Sequence, residues 1–219
     1  MVKVCDLYAL KEDSVGEYLR AFEYPWQALA GIKEWILSLG KNLSKEDYDE
    51  VSPCVWVHKS VVVAPTAYLG APCIIGEGTE VRHCAFIRGN AYVGKNCVVG
   101  NSVELKNVIL LDGVQVPHFN YVGDSILGFN AHMGAGSITS NVKSDKSNVV
   151  IKAGEMEIST GLKKVGAMLG DGVEVGCNAV LNPGTIVGKN TTIYPLSFVR
   201  GVVPCDSIFK KDGNIVKKR

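Results

Sequence analysis

The chain has 219 residues, with 23 Lys and Arg against 22 Asp and Glu and 47% hydrophobic residues, which fits one substantial core and at most a small second unit. A net charge of +1 gives no electrostatic reason to expect nucleic acid. The opening MVKVCDLYALKEDSV has no charged segment followed by an apolar run and cleavage site, and no stretch approaches the roughly 18 apolar residues of a membrane span. The seven cysteines include no CxxC pair and read as reduced, small apolar fillers, so the expectation is a soluble cytoplasmic protein with no membrane partner.

Residues 1–52 predict a helical segment. Val15, Leu19 and Phe22 recur at helical spacing; Pro25 can then open a second helix that carries Trp26, Leu29, Ile32, Ile36 and Leu39 and stops at Gly40. This segment holds ten acidic and six basic residues and is expected to cap the open end of the next unit.

From 53 to 204 an aliphatic residue recurs almost every sixth position: Val57, Val63, Leu69, Ile75, Val81, Ile87, Val93, Val99, Leu105 and Leu111, then Leu169, Val175, Leu181, Val187, Ile193 and Val199. Six is neither a helical nor a strand period. It marks a hexapeptide parallel β-helix, in which three short strands make one triangular coil and each guide residue points inward. A second column of small residues two places earlier, including Ala67, Cys73, Thr79, Ala85, Ala91 and Cys97, suits the tight corners. The fold class is therefore all-β, a left-handed parallel β-helix whose coils stack about 4.8 Å apart, with residues eighteen apart superposed.

Two breaks interrupt this pattern. After Leu111 the repeat passes through Pro117, Val122, Leu127 and Met133, with two five-residue steps. From about 139 to 165 it disappears into a polar, turn-rich stretch that predicts an inserted loop with a short hairpin. The tail, 205–219, predicts a hairpin turning at Asp212-Gly213. Its last ten residues hold Lys210, Lys211, Lys217, Lys218 and Arg219 against Asp212 alone, and these cations are candidate contacts for a phosphorylated ligand.

Arg88 and Lys106 each follow a guide residue and lie eighteen apart, so the stacking rule sets two cations side by side, where a bridging phosphate would relieve their repulsion. His118 follows the expected guide position Pro117, which would seat it above Gly100 and Arg82.

Around these residues, VELK at 103–106 and H-x-x-Y-x-G-D at 118–124 narrow the likeness. Over residues 57–204 the chain resembles the acetyltransferase half of bifunctional UDP-N-acetylglucosamine pyrophosphorylase / glucosamine-1-phosphate N-acetyltransferase, including its archaeal sugar-1-phosphate relatives. The resemblance implies an acetyl-CoA-dependent N-acetyltransferase that acts on an amino-sugar 1-phosphate and needs no metal. It implies His118 as general base, with Arg88, Lys106 and Tyr121 gripping the sugar phosphate and Glu104 orienting the histidine. Asn141 matches an active-site asparagine, and the Ala135 N–H matches the donor to the acetyl carbonyl. These group types suit the chemistry, since an ammonium must lose a proton before its nitrogen attacks a thioester and the oxyanion then needs a fixed donor. A homotrimer is implied, because the family builds its site between subunits, with Cys177, Lys210 and Lys211 toward the coenzyme.

The chain departs from the family at three places. His132 stands for an asparagine and is expected at the sugar end of the substrate; Cys177 stands for a serine; and the lysine expected after Asn141 aligns with Ser147, with Lys143 and Lys146 nearby. About 50 helical residues cannot hold a nucleotidyl-transfer domain, so no pyrophosphorylase activity is expected. Two other readings stand beside the enzyme: a non-catalytic sugar-phosphate or nucleotide-sugar binding module on the same fold, and a metal hydrolyase of the carbonic anhydrase kind. The latter would have to draw on His58, His83, His118 and His132, among which there is no H-x4-H pair.

Overall fold

In the computed structural model, which describes residues 2–218, the hexads wind a left-handed parallel β-helix of about nine turns. Arg219 of the basic tail lies outside the described residues. Three inward columns form its core. One runs Val57, Ile75, Val93, Leu110, Leu127, Leu169, Val187 and Val203. A second holds Val63, Val81, Val99, Val116, Met133, Val175, Ile193 and Phe209, and the third Leu69, Ile87, Leu105, Val122, Thr139, Leu181 and Val199. Nearly all of these side chains are buried. Each aliphatic side chain fully removed from water contributes about 1.5–3 kcal/mol.

Two guide positions differ from the sequence expectation: Leu110 rather than Leu111 points inward, and Val116 rather than Pro117. The five-residue steps therefore fall between Leu105 and Leu110 and between Val122 and Leu127. At those corners a single left-handed residue turns the chain, Asn107 (φ 55) or Asp124 (φ 49), where the preceding coil uses both Gly89 and Asn90. The strands Glu104–Leu110 and Tyr121–Leu127 consequently run through the corner without a break. Leu111 is also fully buried, but on the outside of the prism, in a second apolar cluster.

That second cluster holds the N-terminal helices. Val4–Leu7, Ser14–Arg20, the 3-10 turn Pro25–Ala30 and Ile32–Gly40 set Leu7, Leu19, Trp26, Ile32 and Ile36 against Trp56, Ile74, Ile109, Ile126, Met168 and Ile186, which project outward from one face. The Asp13 side chain caps Ser14–Arg20 by accepting from the Gly16 N–H at 2.8 Å. The helices thus cover a side wall and not the open end of the first coil. At that end Val63 stays 36% exposed. The strand Tyr48–Ser52 instead pairs antiparallel with Val55–His58 and closes that strand's free edge.

The insertion forms the expected hairpin, Val150–Ala153 with Met156–Ser159, and buries Val149, Ile151 and Val165 in the same side-wall cluster. In the tail, Ser207–Phe209 pairs with Ile215–Lys217 across the expected turn, with Gly213 at φ 84. Among the described residues no helix is long and apolar enough to cross a membrane.

Burial raises three tyrosines of the side wall: Tyr8 and Tyr92 well above the ordinary value of 10.0, and Tyr18 to about 12. Each binds its proton more tightly in the folded chain, so its contribution to stability is intact below pH 10 and is lost as pH rises through the folded value. The helices should therefore leave the prism first in alkali. Trp26, Trp35 and Trp56 all sit in or against this cluster, so tryptophan emission is expected to shift red above about pH 10 while the far-ultraviolet β signal persists. Simultaneous loss of both signals would show that helices and prism unfold as one.

Candidate active site

The shortened corners gather the polar residues. Asp124 is 4% exposed, and its carboxylate accepts from Lys106 Nζ at 3.0 and 3.1 Å, Asn107 Nδ2 at 3.0 Å and Asn141 Nδ2 at 2.6 Å. It ties the coil below to the coil above. Asn141 Nδ2 also donates to Tyr121 Oη at 3.1 Å. The Tyr121 hydroxyl lies over Gly123, where a Cβ would come within 2.4 Å of it, and burial raises its phenol above the ordinary range. The sequence reading placed Lys106, Tyr121 and Asn141 at a site, and the fold brings them together. It missed Asp124, whose signal was an acid at a corner position occupied one coil below by Asn107.

Arg88 and Lys106 stack one coil apart, as expected, but they are not an uncompensated pair. Arg88 Nη1 donates to Glu104 at 2.7 Å, and Lys106 is held by Asp124. Glu104 therefore engages Arg88, and no hydrogen bond joins its carboxylate to His118. Strand alternation explains the difference: Glu104 stacks on Phe86 and sits two residues before Lys106, so its side chain leaves the same face, diagonal to Arg88 of the coil below.

His118 ends the strand Gln115–His118 and is exposed at the next corner. Because the guide residue is Val116, His118 lies above Asn101 and His83 instead of Gly100 and Arg82. The coil above places Ala135 next to it, and the Gly136 N–H donates to the His118 carbonyl at 3.1 Å. Asn120, 2% exposed, clamps these two coils. Its Oδ1 accepts from the His118 N–H at 3.2 Å, and its Nδ2 donates to the Gly134 carbonyl at 2.8 Å and to Ser137. The sequence reading missed this residue as well. The Ala135 N–H has no acceptor within the described chain. Phe119, between His118 and Asn120, is 60% exposed and left-handed at φ 52, a conformation rare for a bulky side chain.

Ala135 and Cys177 continue the His118 column, since the Asn178 N–H donates to the Ala135 carbonyl. Beside them Gly134 and Gly176 leave a shallow floor, bounded farther along by Tyr194 and then Lys210. A Cβ on Gly134 would meet the Cys177 nitrogen at 2.7 Å. Lys210 and Lys211 border the far end of this strip with Tyr194. His132 projects from this face too, but its Nδ1 pairs with Glu174 at 2.8 Å, away from the Asp124 cluster. Lys143 faces Asp145 and Ser147. Among the described residues no three His, Cys, Asp or Glu side chains are grouped closely enough to hold a metal ion.

The buried Lys106–Asp124 pair makes a stability prediction. Asp124→Ala strands a partly buried ammonium and two amide donors, and is expected to lower the unfolding free energy by about 3–5 kcal/mol; Asp124→Asn, which keeps an acceptor, should cost less. Urea unfolding midpoints compare the two, and a loss under about 0.5 kcal/mol for the alanine variant would show that Asp124 is not the anchor.

The chain is 31% identical over 158 residues to the bifunctional protein GlmU of Methanococcus vannielii, covering 72% of this chain and 34% of that protein. It is 28% identical over 220 residues to GlmU of Methanococcus maripaludis, covering 99% and 53%. The chain thus spans about half the length, or less, of these relatives, which bear out the resemblance read from VELK and H-x-x-Y-x-G-D. A solved mutant of AntD, an N-acyltransferase from Bacillus cereus in complex with dTDP and coenzyme A, aligns with TM-score 0.44 and 14% identity, covering 74% of this chain and 82% of that one. The family described as the GMPPB C-terminal domain matches residues 71–187. That span is more than half of the chain, and the protein belongs to the GMPPB C-terminal domain family.

Proposed function

We propose that the protein transfers an acetyl group from acetyl-CoA to the amine of an amino-sugar 1-phosphate. The observation that carries this reading is the placement of an exposed imidazole, His118, one coil below the unsatisfied N–H of Ala135, with Asn120 clamping the two together. A base and an oxyanion donor on adjacent coils are what aminolysis of a thioester requires.

Acetyl-CoA supplies the activated acyl group as a thioester, and the strip over Gly134 and Gly176 fits a long, flat ligand, with Cys177, Lys210 and Lys211 along it. His118 removes a proton from the sugar ammonium, freeing the nitrogen lone pair to form the new N–C bond. The Ala135 N–H receives the negative charge that develops on the carbonyl oxygen. As the C–S bond breaks, the protonated imidazole returns its proton to the departing thiolate, and the new nitrogen, which still carries two protons, releases one to water to leave the neutral amide. Tyr121 and Asn141 offer a hydroxyl and an amide to the sugar, and Arg88 and Lys106 offer positive charge to its phosphate, sharing it with Glu104 and Asp124. Cytoplasmic residence is part of the same proposal, since the substrates are those of the reducing interior.

A homotrimer completes the site. His118 and Phe119 stand open at one corner, while Tyr68, Phe86 and Phe198 are 60%, 43% and 62% exposed along the adjoining face, an apolar surface that a neighbouring prism would cover and thereby exclude water from the imidazole. Light scattering at micromolar concentration is expected to give three chains; a monomer mass would overturn the shared site.

His118→Ala should keep the circular dichroism and assembly of the parent and lower acetyl transfer to glucosamine 1-phosphate by about 10²- to 10⁴-fold. Transfer at the parent rate would remove the base from His118. Sugar-phosphate binding by a parent protein that lacks transfer would favour the binding-module reading.

A further inference from the structure

The outward column that holds Arg88 and Lys106 continues through Gly123, Ser140 and Asn182 to Arg200. Arg200 differs from the first two. Its guanidinium carbon stands 5.7 Å from the Phe198 ring, and among the described residues no carboxylate pairs with it, whereas Arg88 and Lys106 are both neutralised.

Arg200 borders a cavity of about 340 Å³, a volume within the range of small-molecule sites. The insertion folds back to make one wall and the last coils make the other. This approach is built in: Gly201 is left-handed at φ +79, and a Cβ there would come within 3.0 Å of the Lys152 carbonyl. Lys143 and Lys152 add two more cations to the lining. Lys152 is shared with Glu157 at 2.9 Å. The single acid in the lining, Asp145, already accepts from the Ser147 N–H and hydroxyl and lies 3.4 Å from Lys143. The hydroxyls of Ser140 and Ser144 and the amide of Asn182 complete the polar surface.

We infer that this cavity is a second ligand site, which binds a phosphorylated sugar with its phosphoryl group on Arg200 and Lys143. Three cations against two carboxylates, Asp145 and the Glu157 that engages Lys152, leave Arg200 unneutralised and select an anion, and the planar guanidinium fork matches phosphate oxygens. The volume exceeds that of a bare phosphate, and the hydroxyl, amide and carboxylate groups on the walls match sugar hydroxyls. Asn141 neighbours Ser140 of the lining, so this cavity opens beside the Asp124 cluster, but Arg200 stands beyond the Gly123, Ser140 and Asn182 coils from Lys106, where the first-site cations do not reach. Its occupant needs no amino group, and the inference does not rest on acetyl transfer.

Glucose 1-phosphate, which has no amine to acetylate, tests this by isothermal titration against inorganic phosphate. An Arg88→Gln/His118→Ala variant, altered only at the first site, is expected to keep one glucose 1-phosphate site per chain. Arg200→Gln should weaken that binding about tenfold or more, Lys143→Gln should act in the same direction, and Arg200→Lys should recover part of it. Circular dichroism and thermal midpoints verify that each variant is folded. Loss of binding in the first-site variant, or unchanged affinity in both Arg200→Gln and Lys143→Gln, would overturn the site. Equal affinity for inorganic phosphate would overturn the sugar assignment. Failure of the acetyl-transfer reading would leave every arm of this titration unchanged.

Discussion

Everything functional in this protein depends on the vertical register of a parallel ladder. Coils stacked about 4.8 Å apart place side chains from distant sequence positions one above another, and hydrogen bonds between strands prevent sliding. A residue's neighbours are therefore fixed by counting along the coil and not by local sequence. Ala135 lies beside His118 because one coil separates them, and Asn120 can bond both the His118 and Gly134 backbones for the same reason. No loop needs to close to assemble this geometry, so it is available before any ligand arrives.

The two shortened coils turn that regular ladder into a site. Removing one corner residue makes the strands Glu104–Leu110 and Tyr121–Leu127 continuous and leaves a single left-handed residue to make each turn. At Asp124 this buries a carboxylate between coils, where it is stable only with full hydrogen bonding. Lys106, Asn107 and Asn141 provide it. A residue placed for its conformation thus also determines where an ammonium and an amide point.

Much of this was legible in the sequence, because a hexad with a small residue two places earlier leaves few architectures. The flanking hairpins were readable from polar, glycine-punctuated stretches for the same reason. Register through the short coils was not legible. Leu110 and Leu111 are both apolar and both fully buried, one inside the prism and one under the helices, and hydrophobicity does not distinguish the two environments. That single-residue ambiguity moved His118 from Asn101 to Gly100 in the sequence reading. Ion-pair partners were equally hidden: Arg88 and Glu104 are sixteen apart, a diagonal contact between coils that a rule of superposed residues does not supply. Helical periodicity was visible over the N-terminal segment, but the expected second helix is split into the 3-10 turn Pro25–Ala30 and Ile32–Gly40, residues 48–52 form a strand, and the docking depended on outward residues such as Ile109 and Ile126, which look in sequence like more of the core.

The placement of those helices has a geometric consequence. A triangular prism has three walls, and the N-terminal segment and the inserted hairpin together occupy one of them. Another macromolecule therefore has only two walls to approach, and these carry His118, Tyr121 and the glycine strip. Recognition by a partner and access to the reactive groups compete for the same area, so surface mutations that tune one will as a rule be felt by the other.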